Sequence, residues 1–72
     1  MNSIASGYSF LVKDNTVVVH MDNGDHFTFS EADLRESIQL LELSRTKFAN
    51  HTSWLWLITL RREALEFLLA NR

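Results

Sequence analysis

The sequence predicts an α+β domain: a three-stranded antiparallel β-meander over about 8–13, 16–21 and 25–29, then two α-helices over about 31–49 and 54–71. Three observations carry this. Runs rich in β-branched and aromatic residues are separated by short Asp/Asn/Gly connectors in the first half. A helix-capping pattern begins at Ser30. The last stretch, "RREALEFLLANR", is built from strong helix formers. All 72 residues fit one small domain, with residues 1–7 ahead of the first strand and expected to be flexible.

The first two strands, Tyr8–Lys13 and Thr16–Met21, flank Asp14-Asn15, which has the chemistry of a two-residue turn. That turn pairs Val12 with Val17, Phe10 with Val19 and Tyr8 with Met21, all on one face. The second connector, Asp22-Asn23-Gly24, allows two registers. A two-residue Asn23-Gly24 turn would set Met21 against His26 and scatter the apolar residues over both faces. A three-residue loop with Gly24 in the left-handed conformation sets Val19 against Phe27, Val17 against Phe29 and Met21 against Asp25. A one-residue slip moves every side chain to the other face, so the pattern selects the second register. The expected core face is Tyr8, Phe10, Val12, Val17, Val19, Met21, Phe27 and Phe29.

In that register His20 faces His26 on the opposite side of the sheet, with Ser9, Leu11, Val18 and Thr28. Structural zinc sites need four ligands and catalytic ones usually three. No Asp, Glu or Cys shares the face, so neither a metal centre nor a cofactor is expected there.

Ser30 is a good N-cap, with Asp33 in the reciprocal position of a capping box and Phe29 and Leu34 as a hydrophobic staple. Glu31 and Asp33 suit the positive end of the helix dipole. Leu34, Ile38, Leu41 and Phe48 form one apolar stripe. Leu40 and Leu43 fall outside it and suggest a second contact surface. Asn50 can end this helix as a left-handed cap, and Thr52 or Ser53 can cap the next. The stretch "TSWLWLITL" also has strand-like composition, but the helical continuation favours a helix.

On a helical projection Trp54, Trp56, Leu57, Ile58, Leu60, Ala64, Leu65, Phe67, Leu68 and Leu69 cover more than half the circumference. Thr59, Arg62, Glu63 and Glu66 make a narrow polar strip. A surface helix usually shows an apolar stripe only a little over ~100° wide. The expectation is surplus apolar surface, with Leu40, Leu43, Trp56, Leu60, Phe67 and Leu69 as interface candidates. The partner would be a second copy, most simply a two-fold dimer, or another protein.

Composition narrows the function classes. The net charge is −2, whereas nucleic-acid binders usually carry a basic surplus. Cysteine is absent, which removes disulfides and thiolate metal sites and is compatible with a reducing compartment. The start of the chain lacks the basic and apolar regions of a signal peptide, and the run "WLWLI" is too short to span a bilayer. A cytoplasmic location is the expectation. No phosphate loop, zinc-ligand spacing or nucleophile elbow is present. His51 beside Thr52 and Ser53 invites a nucleophile reading, but sequence neighbours rarely adopt triad geometry and helix capping explains the hydroxyls. The sequence therefore points to a non-enzymatic, self-associating interaction module, an adaptor or an inhibitor that occludes a larger partner. The alternative is a small nucleic-acid-binding regulator using Arg61 and Arg62, which Arg62–Glu66 pairing at helical spacing would oppose.

Overall fold

A computed structural model describes residues 7–48 and 52–72. Three antiparallel strands, β1 (Tyr8–Lys13), β2 (Thr16–Met21) and β3 (His26–Ser30), form a sheet in the order β1-β2-β3. Two helices follow, α1 (Glu31–Leu43) and α3 (Thr52–Asn71), with the single helical turn α2 (Arg45–Phe48) between them. The expected flexibility of residues 1–7, except at Gly7, and the roles of Asn50 and His51 lie outside the described residues.

Both hairpins take the register selected by the hydrophobic pattern. Asp14 (φ 53°) and Asn15 (φ 62°) are both left-handed, so the first turn is of the primed type that matches strand twist. Val12 pairs with Val17, Phe10 with Val19 and Tyr8 with Met21. Gly24 has φ 96° and donates its N–H to Met21 O at 3.0 Å, while Met21 N–H donates to Asp25 O at 2.8 Å. Asn23 Oδ1 accepts from Asp25 N–H at 2.9 Å and completes the three-residue loop. Val19 then faces Phe27, Val17 faces Phe29 and His20 faces His26. The third strand is shifted one residue from the expected 25–29, because Asp25 closes the loop and Ser30 still pairs with Thr16.

The capping box at α1 forms in full. Ser30 Oγ accepts from Asp33 N–H at 3.1 Å, and Asp33 Oδ2 accepts from Ser30 N–H at 3.3 Å. The helix ends at Leu43 rather than continuing to 49. At Ser44 the backbone turns out of the helix, and Ser44 Oγ donates to Leu40 O at 2.7 Å, a local bond that competes with helix continuation. The last-turn carbonyls of a helix must be satisfied from outside it. Leu41 O accepts from Trp54 Nε1–H at 2.9 Å, which ties the end of α1 to the start of α3. The final helix begins at Thr52, two residues before the expected start, and runs antiparallel to α1.

The helices cover one face of the sheet. α3 lies across β1 and β2, while α1 packs against β3 and along α3. Trp54 and Ile58 on α3 are buried, and Val17, Val19, Leu34, Leu60, Ala64 and Leu68 form one buried cluster. Tyr8, Phe10, Val12, Met21, Phe29, Trp56, Leu65 and Phe67 are partly buried around it. Phe27 corrects the expected core face, since it is 45% exposed. It stands on the edge strand β3, toward the loop end, while α1 and the Arg61 side chain of α3 cover the Phe29 end. Among the described residues no helix is long and apolar enough to cross a membrane.

Candidate interaction surface

The six interface candidates separate into two groups. Trp56, Leu60 and Phe67 face inward. Leu60 is 3% exposed and belongs to the core, so it is not part of any surface. Phe67 packs on Phe10 with ring centroids 5.5 Å apart, and Trp56 meets the edge of Tyr8 at 6.4 Å. Tyr8 also stacks obliquely on Phe10 at 5.3 Å, so the β1 aromatics and the apolar flank of α3 cover each other. The expected surplus on this flank is therefore absorbed within the chain. Sequence projection shows which side of a helix is apolar. It does not show how far a twisted sheet and a neighbouring helix wrap around it.

Leu40, Leu43 and Leu69 face solvent. Leu43 is 74% exposed and Leu40 60%, three residues apart on the flank of α1 opposite Leu34. Leu69, 40% exposed, stands on the polar strip of α3, with Leu55 also exposed there. Leu11 is exposed on the outer face of the sheet, where the sequence pattern placed it, and Leu55 is an exposed apolar position that the sequence reading did not single out. For Leu55 the signal was present, because it falls on the same helical side as Arg62 and Glu66.

Three ion pairs link charged residues of α1, α3 and the adjoining Arg72. Arg62 Nη2 contacts Glu42 Oε2 at 2.6 Å across the α1–α3 seam. Glu31 receives Arg35 at 2.8 Å and also pairs with Arg72. These two guanidinium groups, Arg35 foremost, hold the Glu31 carboxyl below the usual carboxylate range. Arg61 turns inward instead. Its guanidinium stands over the Phe29 ring, 5.4 Å from the centroid, and Nη1–H donates to Leu57 O at 3.1 Å. Its Nε is buried without a hydrogen-bond partner among the described residues, and burial lowers the guanidinium's pKa. The two arginines thus do not form a shared basic face. An open depression of about 420 Å³ lies between α1 and α3, lined by Glu42, Arg45, Trp54, Leu55 and Arg62.

On the core side, Tyr8 Oη–H donates to Glu63 Oε1 at 2.5 Å and joins the first strand to the last helix. Burial and the adjacent Glu63 carboxylate push the Tyr8 phenol up to about 12. On the outer face, the His20 and His26 rings lie 6.0 Å apart, and both residues are exposed. Among the described residues no three His, Cys, Asp or Glu side chains are gathered as a metal-binding group. The chain matches no protein-family profile, no curated protein and no solved structure.

Proposed function

We propose that this chain is a small non-enzymatic interaction module of the cytoplasm that self-associates as a two-fold dimer through the outer flank of α1. The observation that carries the reading is the exposed pair Leu40 and Leu43 on the side of α1 turned away from its own core. Leaving a large apolar side chain wet forgoes roughly 1.5–3 kcal/mol, a substantial share of the stability available to so small a domain. A two-fold axis beside α1 would let the same two leucines of each copy cover one another, and an isologous contact of this kind closes on itself. The pairing of Glu31, Glu42 and Arg62 within the chain supports an association driven by apolar burial rather than by charge. Arg61 packed over Phe29 and Arg62 bound to Glu42 weigh against a phosphate-binding role. An adaptor or an occluding inhibitor would present the same flank to a different protein.

Sedimentation equilibrium at micromolar concentration tests the dimer. The expected result is twice the chain mass of 8.4 kDa for the wild type. Leu43→Glu should give a monomer that remains folded by circular dichroism, because that side chain is outside the core. A wild-type chain that stays monomeric at every concentration overturns self-association and leaves the flank for a heterologous partner.

A further inference from the structure

The outer face of the sheet is uncovered by either helix, and among the described residues two imidazoles from two strands meet on it. His20 and His26 are direct cross-strand neighbours. The loop determines which kind of neighbours they are. Met21 N–H donates to Asp25 O, which makes Met21 and Asp25 a hydrogen-bonded pair. Pair types alternate along an antiparallel ladder, so His20 and His26 form the next, non-hydrogen-bonded pair. In such pairs the Cα atoms are only about 4.5 Å apart and the side chains emerge closest together. The imidazoles follow suit, with centroids 6.0 Å apart and planes inclined by 31°. Both are solvent-exposed, so no packing opposes the ring rotation that would point a nitrogen of each at one ion.

The surroundings select the ion. Ser9 lies opposite His20 on β1, and the next row across the sheet is Leu11, Val18 and Thr28. Toward the loop, Asp22 N–H donates to Gly7 O at 3.0 Å and the Asp22 carboxylate borders this face, but no third His, Asp or Glu is gathered with the two imidazoles among the described residues, so the site lacks the oxygen ligands that calcium or magnesium needs. Imidazole suits copper, nickel and zinc, and copper(II) binds nitrogen ligands most tightly among the divalent ions.

We propose that His20 and His26 form an open two-imidazole site for divalent transition-metal ions of the copper and zinc type. Coordination positions beyond the two nitrogens are left to water or to a ligand from another molecule. The site clips β2 to β3, and its register exists only in the folded hairpin, so bound metal stabilises the fold. It does not depend on dimerisation through α1, which is on the other side of the sheet.

Titration of the untagged full chain with copper(II), followed by electron paramagnetic resonance, tests the assignment. One equivalent is expected to bind with two equatorial nitrogens, and copper(II) or zinc(II) is expected to raise the midpoint of thermal unfolding. His20→Ala and His26→Ala, each shown to be folded by circular dichroism, should lose both the two-nitrogen signal and the thermal shift. His51→Ala should keep them. Persistence of the signal in either sheet variant, its loss in H51A, or no equimolar binding by the wild type would overturn the proposal.

Discussion

Replacing Leu60 by Ala trims an isobutyl group to a methyl in the contact between α3 and the sheet. The side chain is 3% exposed and clusters with Val17, Val19, Leu34, Ala64 and Leu68. Buried leucine-to-alanine changes cost about 2–5 kcal/mol, the spread reflecting how far the site collapses. Partly buried side chains border this cluster and can relax toward the cavity, so a middle value of about 3 kcal/mol is expected. The comparison is Leu43→Ala. With 74% of Leu43 already exposed, only about a quarter of a burial worth roughly 1.5–3 kcal/mol is at stake within the chain, less than 1 kcal/mol. Urea unfolding measures both. At a slope of about 1 kcal/mol per molar, L60A should move the midpoint by about 3 M and L43A by less than 1 M. The stability of a domain this small is about 5 kcal/mol, so L60A should keep about 2 kcal/mol and stay mostly folded without denaturant. Measured at a protein concentration where both variants and the wild type are monomeric, equal midpoint shifts for the two variants would refute the packing argument and return Leu60 to the surface.

Two further outcomes follow from the turn and from the phenol. Gly24→Ala places a side chain at φ 96°, where there is free space for the added carbon but L-residues are strained; a loss of about 1–2 kcal/mol is expected, and an unchanged unfolding midpoint would remove the left-handed requirement. Tyr8 is the single tyrosine, so tyrosinate absorbance reports it alone. Its midpoint should be about 12 in the folded chain and move toward the ordinary value near 10 in Glu63→Gln. Because the folded value is raised, this contribution to stability is complete below pH ~10 and is lost as pH rises toward about 12. An unshifted folded midpoint would show that the Tyr8–Glu63 contact is absent in solution.

Most of the sheet was legible because two independent signals agreed. The alternation of Val17, Val19, Phe27 and Phe29 and the demand for a left-handed Gly24 both chose one register. The capping box was equally readable, since Ser30 and Asp33 act through bonds local to the chain. What was not legible depended on three-dimensional coverage. Phe27 and Phe29 have the same pattern in sequence and share the edge strand β3, yet only Phe29, directly before the N-cap of α1 and beneath the Arg61 guanidinium, packs against the core. Trp56 and Phe67 resembled spare surface until the β1 aromatics were placed opposite them. The break at Ser44 was missed because serine is tolerated within helices. It is the hydroxyl's bond back to Leu40 O, and the use of Leu41 O by Trp54, that accompany the stop here.

The order of the elements has a kinetic consequence. Each strand pairs with its sequence neighbour, and α1 and α3 form a helical hairpin, so the elements assemble mainly by closing short loops. The long closure is the return of α3 to β1, marked by the bond between Tyr8 and Glu63 across 55 residues. With no proline anywhere in the chain, the slow isomerisation that delays many small domains has no substrate here. Refolding from urea should therefore be a single exponential on the order of milliseconds, limited by docking the last helix onto the first strand. Under stopped flow, a phase lasting seconds would point to a different rate-limiting event, such as subunit association.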